Sequence, residues 1–426
     1  MLLENVITEN SVFAQTPLDT QEIAPARLNI EEKARSNLLP WNGQFSPQFV
    51  EALLEQYAES TTTVLDPFCG SGTVLYESAR LGLQATGIEV NPAAYLLAQT
   101  YGISNVSKAQ RELALAEIDR RLAKLSESGL LDLPPADSSN WSLRGDELLA
   151  SFDDAKPLER SVFETLVVLS DIYKGSDSAK VNAAWVKLKR IILGLPFSDK
   201  PIRMLIGDGR KPVLSEPASL VLTSPPYINV YNYHQQYRAS AEALGWDLLQ
   251  VARTEIGSNR KHRGNRFLTV IQYCLDLGLA LHNLWDVTTA EARLIFVLGR
   301  ESKVRGVTFF NGAIFSELAL RAGYRLVLRQ ERVFTNRFGQ RIVEDILHLR
   351  KESRRELSMS NLRQVATEAL HVALALGQGF AEDVLSDIRN AIEGAEKVLP
   401  SPSFDAKASH RTNHLRSTYA IPHSAS

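Results

Sequence analysis

The sequence predicts an α/β fold: a doubly wound, Rossmann-like sheet that ends in an antiparallel hairpin and carries a helical insertion. First, an apolar run at 62–66 leads through a glycine-rich turn to a helical pattern at 73–81 and a second strand pattern at 84–89, which is a strand–helix–strand unit. Second, apolar strand patterns recur at 202–206, 219–223 and 293–298. Third, strand patterns at 325–334 and 341–349 flank a turn that contains Gly339, and they predict the hairpin.

Helical patterns occupy most of the remaining chain. One at 47–57 precedes the first strand, and others at 266–284 and 311–322 separate later strands. Three more, at 107–128, 157–173 and 180–193, interrupt the alternation and predict a helical insertion over 105–200. We therefore divide the chain into an N-terminal arm (1–40), a catalytic domain (41–351), a helical segment (352–398) and a Ser-, His- and Pro-containing tail expected to be disordered (399–426).

Composition excludes several classes of protein. The 426 residues are 44% hydrophobic and 23% charged, as in ordinary globular proteins, and no apolar run reaches the ~18 residues that cross a bilayer. The N-terminus carries Glu4 and Glu9 and has no basic residue before Arg27, unlike a signal peptide. We therefore expect a cytoplasmic protein without a membrane partner.

Cysteine content and net charge narrow the chemistry further. Cys69 and Cys274 are the two cysteines, too few for a disulfide framework or a cysteine-based zinc site. The histidines are scattered, so no metal site is predicted. A formal net charge of −2 means that any contact with nucleic acid depends on a local basic patch.

A glycine turn between a strand and a helix lets backbone N–H groups approach a ligand. Gly70 and Gly72 form such a turn, but Leu75 stands where the dinucleotide fingerprint G-x-G-x-x-G has its third glycine. Glu89 follows Gly72 by 17 residues, near the ~20 at which an acid binds ribose hydroxyls. Either this is a cofactor loop or it is a tight turn of another α/β enzyme.

Three segments together are more specific. Residues 66–73 (Asp-Pro-Phe-Cys-Gly-Ser-Gly-Thr), 88–92 (Ile-Glu-Val-Asn-Pro) and 222–227 (Leu-Thr-Ser-Pro-Pro-Tyr) resemble the S-adenosylmethionine-dependent DNA methyltransferases that modify exocyclic amino groups. The resemblance spans roughly 41–351, without the insertion or either end. It implies S-adenosylmethionine as cofactor and double-stranded DNA as partner, with cofactor-binding roles for Phe45, Ser46, Asp66, Pro67, Phe68, Gly70, Ser71, Gly72, Thr73 and Glu89.

Three of the candidate cofactor residues have specific expectations. Asp66 ends a strand, where its charge would complement the sulfonium or the amino group of S-adenosylmethionine. Phe45-Ser46-Pro47 either closes over the methionine part, as the resemblance implies, or is a helix start with Ser46 as N-cap. Asp208 ends another strand, where it either meets the adenine amino group of the cofactor or caps the next turn.

The catalytic residues implied by the resemblance are Ser224, Pro225, Pro226 and Tyr227. The amino nitrogen of a base is a poor nucleophile, so an enzyme must orient it and accept hydrogen bonds from its protons. The Ser224 hydroxyl and the Pro225 carbonyl can accept them, and the Tyr227 ring can stack on an extruded base. A rigid Pro-Pro turn without catalytic function is the alternative, and neither cysteine lies where a covalent C(5) mechanism needs one.

DNA contact is expected from the loop over 228–266, which mixes aromatic, amide and basic residues. Its basic cluster consists of Arg260, Lys261, Arg263 and Arg266, and a solvated loop is the alternative meaning of these charges. The insertion over 105–200 is a second candidate for target recognition or, equally, a structural or dimerisation element.

The sequence therefore predicts a site-specific DNA methyltransferase acting on a flipped base, with cytosine N(4) preferred because the family's usual adenine form has Asp or Asn in place of Ser224. A restriction-modification system, with a cognate endonuclease as partner, is the expected context. Adenine N(6) methylation is the first alternative. An RNA guanine methyltransferase and a catalytically inactive nucleic-acid binding regulator follow.

Overall fold

The computed structural model describes residues 11–30, 34–132, 141–175, 177–228, 233–257, 262–336, 339–377 and 379–410. Within these residues the strands are β1 (Thr63–Asp66), β2 (Gln84–Glu89), β3 (Ile202–Ile206), β4 (Ala218–Thr223), β5 (Thr288–Gly299), β6 (Glu301–Val304), β7 (Val307–Phe310), β8 (Tyr324–Thr335) and β9 (Arg341–Lys351).

The α-helices of the same residues are α1 (Val12–Gln15), α2 (Pro25–Asn29), α3 (Pro47–Tyr57), α4 (Thr73–Arg80), α5 (Pro92–Ala98), α6 (Lys108–Glu127), α7 (Trp141–Ala150), α8 (Pro157–Ser170), α9 (Ser178–Gly194), α10 (Arg238–Ala243), α11 (Leu248–Thr254), α12 (Leu268–Leu284), α13 (Asn311–Arg321), α14 (Met359–Ala375) and α15 (Glu382–Glu393). Short 3-10 segments lie at Gln99–Asn105, Ile172–Lys174, Tyr233–Gln235 and Ala395–Lys397. No described helix is both long enough and apolar enough to span a bilayer.

Seven strands form one sheet in the order β3-β2-β1-β4-β5-β9-β8. The first five in this order are parallel, and β9 runs antiparallel to both β5 and β8. This confirms the predicted Rossmann-like sheet with an antiparallel end. Because the strand order reverses between β1 and β4, the carboxyl ends of these two strands form a crevice of the kind that binds ligands in open α/β sheets.

Alternate residues of the central strands pack into apolar cores on opposite faces of the sheet. Val64 and Leu220 join the core that contains α3, α4 and α5, whereas Leu65 and Val221 join the core that contains α12, α13 and α14. Strands buried on both faces read as continuous apolar runs, and this is why the sequence predicts β1 and β4 well.

The helical insertion packs onto the first of these cores. The hydroxyl of Thr165 on α8 donates to the carbonyl oxygen of Leu96 on α5 at 2.8 Å. Buried Arg111 on α6 donates to the carbonyl oxygens of Val106 and Leu195 at 2.8 and 2.7 Å, so one guanidinium joins the two ends of the insertion. Its function stays a prediction.

Two predicted segments differ from the structure. The expected polar loop over 228–266 contains the helical segments Tyr233–Gln235, α10 and α11 where it is described, and α10 packs against α5 and α8. The expected disordered tail is wrong for residues 399–410: the N–H and hydroxyl of Ser401 donate to the buried carboxylate of Asp276 at 2.8 and 2.6 Å, and the N–H of Phe404 donates to Asp208 at 3.1 Å. Residues 411–426 lie outside the described residues.

Candidate active site

A cleft with about 940 Å³ of open space lies at the carboxyl ends of β1 to β4. Residues 41–45, which precede α3, and residues within 233–257 complete its walls. The predicted cofactor residues that line it are Phe45, Asp66, Pro67, Phe68, Gly70, Ser71, Thr73, Glu89 and Asp208. The fold thus brings most of the predicted cofactor site together.

The glycine turn is fixed onto the end of β2. The N–H of Gly70 donates to Oε2 of Glu89 at 2.8 Å, and the absent Cβ of Gly70 leaves room for the indole of Trp41. Gly72 does not line the cleft: its φ is +89°, and a Cβ there would lie 2.7 Å from Cδ2 of Tyr101. Glycine is required at 72 by the backbone conformation and by packing inside the protein, and its contact with a cofactor stays a prediction.

Asp66 is buried at the end of β1. Its Oδ1 accepts hydrogen bonds from the hydroxyl of Thr223 at 2.6 Å and from the N–H of Phe68 at 3.2 Å. The pKa of Asp66 is raised to about 7, because the effect of burial, together with the smaller effect of the Glu89 charge, exceeds the lowering by these hydrogen bonds. The carboxylate therefore has no cationic side chain to neutralise it among the described residues.

Glu89 ends β2 on the other side of the glycine turn. Besides Gly70, its carboxylate accepts a hydrogen bond from the N–H of Asn91 at 2.8 Å. The pKa of Glu89 is raised to about 7, because desolvation and the charge of Glu255 together exceed the lowering by the N–H groups of Asn91 and Gly70. Its position at the edge of the cleft suits the predicted contact with ribose hydroxyls.

Asp208 lines the cleft, but its oxygens are occupied. Oδ1 accepts from the N–H and Nε of Arg210 at 3.0 and 2.9 Å, and Oδ2 accepts from Nη2 of Arg210 at 2.7 Å and from the N–H of Phe404 at 3.1 Å. A carboxylate has about four acceptor sites. This geometry favours the second interpretation of Asp208, a residue that caps a turn.

The segment Phe45-Ser46-Pro47 lies between the cleft and α3. Phe45 lines the cleft. Ser46 stands at the N-cap position of α3 with Pro47 at the first helical position, but its side chain makes no capping hydrogen bond. Instead its Oγ accepts a hydrogen bond of 3.3 Å from Nη2 of Arg332, so Ser46 faces β8 rather than the cleft.

The predicted catalytic segment, residues 224–227, directly follows β4 and lies beside Asp66. Ser224 and Pro226 line the cleft. The hydroxyl of Tyr227 lies 3.0 Å from Oγ of Ser224, and its ring packs against Gly299, outside the described lining. Burial raises the pKa of Tyr227 above its usual value, so the phenol is neutral.

The residues of the cleft that no sequence motif assigned to the cofactor site include Trp41, Tyr233 and Glu255. The rings of Trp41 and Tyr233 are stacked, with centroids 6.3 Å apart and planes 11° from parallel. Glu255 follows α11. Each comes from a segment far in sequence from the glycine turn, and no local pattern marks them as neighbours.

The structure describes only part of the predicted basic cluster. Arg263 is exposed and Arg266 is partly buried, and the Asn265 side chain between them donates to the carbonyl oxygen of Asp387 on α15 at 2.6 Å. Arg260 and Lys261 lie outside the described residues. In the described ranges no group of His, Cys, Asp and Glu could hold a metal ion.

The charge of the cleft fits a cationic ligand. Its described lining contains Asp66, Glu89, Asp208 and Glu255 and no Lys or Arg, and Asp208 alone of the four is paired with an arginine. S-adenosylmethionine carries a sulfonium and an ammonium, which such carboxylates complement. In charge and in aromatic walls, the residues present fit this cofactor.

The strand order defines a doubly wound, Rossmann-like α/β fold with an acidic crevice at its switch point. The family model described as "DNA methylase", N6_N4_Mtase, matches residues 18–100. Over 87 residues the chain is 33% identical to the type II methyltransferase M.MjaII of Methanocaldococcus jannaschii, and over 84 residues it is 29% identical to the type II methyltransferase M.BsoBI of Geobacillus stearothermophilus. Each match covers 18% of this chain and 16% of the relative.

The predicted resemblance to DNA methyltransferases of exocyclic amino groups is confirmed, over this part of the chain, and it supports the predicted cofactor S-adenosylmethionine. Among solved structures, TrmN from Thermus thermophilus matches with 14% identity and a TM-score of 0.29, covering 73% of this chain and 50% of that one. The rRNA methyltransferase aviRa from Streptomyces viridochromogenes matches with 14% identity and a TM-score of 0.28, covering 83% and 97%. The strand order by itself identifies the Rossmann-like fold.

Proposed function

We propose that this protein is a DNA methyltransferase that transfers the methyl group of S-adenosylmethionine to the exocyclic amino group of a flipped base. One observation carries the proposal: Ser224 and Pro226 of the catalytic segment line the same cleft as Asp66 and Glu89. The hydrogen bond from Thr223 to Asp66 joins the two predicted sites directly. The family match over residues 18–100 supports the same activity.

The chain's own residues have separate tasks in this reaction. Asp66 and Glu89 would hold the cofactor, whose role is to supply an electrophilic methyl group. Ser224 faces the cleft, where its oxygen accepts a hydrogen bond from the amino group of the base and orients the nitrogen lone pair. Pro225 and Pro226 limit the backbone freedom of this segment, so that the Ser224 oxygen is held in place before substrate binds.

Cytosine N(4) is the proposed target atom. The motif Leu-Thr-Ser-Pro-Pro-Tyr at 222–227 is the version that the family resemblance associates with cytosine, and M.MjaII and M.BsoBI do not distinguish the two amino targets by name. Adenine N(6) is the alternative within the same mechanism. We further propose that the protein is cytoplasmic and that a cognate restriction endonuclease is its partner.

Nucleoside mass spectrometry tests the proposal most directly. DNA and RNA from cells that express the wild-type protein or Ser224→Ala are digested and compared. We expect N(4)-methylcytosine in DNA from wild-type cells only. N(6)-methyladenine would correct the target base, methylguanosine in RNA alone would favour the RNA methyltransferase, and no new modification at all would favour the inactive regulator.

A further inference from the structure

Glu255 is a carboxylate of the cleft that the predicted motifs leave without a role. It follows α11, lines the cleft and is 7% exposed. The backbone N–H of His234 donates to its Oε1 at 2.8 Å, and Nδ1 of His234 lies 2.8 Å from its Oε2. Because an ionised carboxylate only accepts hydrogen bonds, Nδ1 is the donor. One residue thus fixes both oxygens of Glu255.

His234 is fully buried, and its Nε2 has no hydrogen-bond partner among the described residues. Burial of a polar ring is costly unless its groups are paired. The polar contacts that the described structure gives this ring go to Glu255. His234 therefore fixes the position of the Glu255 carboxylate at the cleft.

Glu255 retains capacity for a ligand. A carboxylate has about four acceptor sites, and His234 occupies two of them. No Lys or Arg pairs with Glu255 in the described structure, and its charge acts on Glu89 across the cleft. Among the described residues, Asp66, Glu89 and Glu255 thus form an acidic set that no Lys or Arg side chain neutralises.

Aromatic rings lie next to this set. Tyr233, which precedes His234, stacks on Trp41, and both rings line the cleft. Aromatic faces attract cations, so carboxylate and rings favour the same kind of ligand group.

We propose that Glu255, held by His234, binds a cationic centre of the methionine part of S-adenosylmethionine. The inference rests on the proposed function for the identity of the ligand. The sulfonium and the ammonium share the required chemistry. Two related ligands separate these groups. S-adenosylhomocysteine keeps the ammonium and lacks the sulfonium, whereas 5′-methylthioadenosine lacks both and keeps the ribose and adenine.

Calorimetric titration with these three ligands tests the inference on the full chain. Glu255→Gln keeps the size of the side chain and removes its charge. We expect it to weaken S-adenosylmethionine binding about tenfold or more, since charge-assisted hydrogen bonds are strong, and to leave 5′-methylthioadenosine binding within about twofold. An equal loss for S-adenosylhomocysteine supports the ammonium as the bound group, and a loss for S-adenosylmethionine alone supports the sulfonium.

Two further variants control for structural damage. Glu242→Gln removes an acid of α10 that pairs with Arg238 outside the described lining and should bind all three ligands like wild type. His234→Asn keeps a donor near the position of Nδ1 and should weaken S-adenosylmethionine binding less than His234→Ala does.

Two results would overturn the inference: unchanged S-adenosylmethionine binding by Glu255→Gln, or an equal loss for 5′-methylthioadenosine, which would assign Glu255 to the ribose. Failure of the wild-type protein to bind S-adenosylmethionine would instead contradict the proposed function.

Discussion

The hydroxyl of Tyr227 lies 3.0 Å from Oγ of Ser224, so the first and last side chains of the predicted catalytic segment are in contact. Ser224 faces the cleft, whereas the ring of Tyr227 packs against Gly299, where a Cβ would lie 3.1 Å from Cε2. The serine oxygen is therefore at the site, and the ring stands beside it. This arrangement makes the contributions of the hydroxyl and of the ring separable by mutation.

The first prediction concerns these two side chains. Tyr227→Ala should lower the single-turnover methylation rate by roughly 5- to 150-fold, since base–aromatic stacking contributes ~1–3 kcal/mol. Tyr227→Phe keeps the ring and should retain most of the rate. Ser224→Ala should lower turnover more than substrate affinity, because its acceptor acts mainly in the transition state.

Calorimetric binding of S-adenosylmethionine serves as the control and should stay near wild type in all three variants. Rates equal to wild type for both alanine variants would contradict the proposed pocket. A Tyr227→Phe rate as low as that of Tyr227→Ala would assign the effect to the hydroxyl.

The second prediction is a pH dependence of cofactor binding. The pKa values of Asp66 and Glu89 are each raised to about 7, so both side chains are largely protonated at pH 6 and ionised at pH 8. A cationic ligand favours the ionised forms. S-adenosylmethionine should therefore bind more weakly at pH 6 than at pH 8, with proton release on binding near pH 6–7.

Calorimetry in two buffers of different ionisation enthalpy measures this proton release. Asp66→Asn should reduce both the affinity and the number of protons released. Glu216→Gln, at an acid that is half exposed and bonded to Arg203 and Gln84, is the control and should change neither. Affinity that is independent of pH between 6 and 8 would exclude this electrostatic role.

The third prediction concerns DNA contact by the basic cluster. If Arg260, Lys261, Arg263 and Arg266 touch phosphates, replacing all four with Ala should weaken DNA binding and reduce the slope of log K against log salt by about 0.9 for each lost contact. If one of them reads a guanine edge, sequence preference at one position should fall by ~1–3 kcal/mol.

A matched variant tests whether the insertion over 105–200, the second candidate for target recognition, contacts DNA instead. Lys108 and Arg120 on α6 are exposed, and Lys108→Ala/Arg120→Ala should leave the salt slope unchanged. The reverse result, an altered slope in this variant and none in the quadruple variant, would move DNA recognition to the insertion.

The fourth prediction concerns Arg210, which joins three parts of the chain. Its guanidinium donates to Asp208 at 2.9 and 2.7 Å, to Asp276 on α12 at 2.7 Å, and to the carbonyl oxygen of Ser401 at 2.8 Å. Arg210→Met would leave two buried carboxylates without their cation. We expect a loss of about 3–5 kcal/mol in the free energy of unfolding, the usual result of breaking a buried pair.

Denaturant unfolding of Arg210→Met and Arg203→Met measures the difference. Arg203 pairs with half-exposed Glu216 at 3.3 Å, and loss of a surface pair costs only ~0–1 kcal/mol. Equal stability of the two variants would show that the network around Arg210 is not required for the fold.

Elements with a continuous apolar or amphipathic pattern were predictable from the sequence, and several short helices were not. The range of α3 agrees with the structure at both ends, and β2 and β3 do so as well, because each is a continuous patterned run. The helix α5 was missed although its signal was present: Asn91 caps it and Pro92 follows. In contrast, the residue before α10, Tyr237, has a φ of +57°, a backbone conformation that few residues other than glycine adopt.

The candidate site divides in the same way. Asp66, Gly70 and Glu89 lie within one strand–helix–strand unit, so their spacing predicts that they converge. Glu255 and Trp41 reach the same cleft from distant segments, and only the packing of those segments against the sheet brings them there. Arg210 was missed because its partner Ser401 is 191 residues away.

The hydrogen bond between Phe404 and Asp208 spans 196 residues, and this separation affects the order of events during synthesis. Chains emerge from the ribosome at ~5–20 residues per second, so roughly 10–40 s pass between translation of Asp208 and translation of Phe404. During that interval β4 and the later strands are translated, but Asp208 lacks the hydrogen bond that Phe404 donates to it. On a ribosome-bound chain of this protein, Asp208 should therefore complete its hydrogen bonds only after residue 404 has left the exit tunnel.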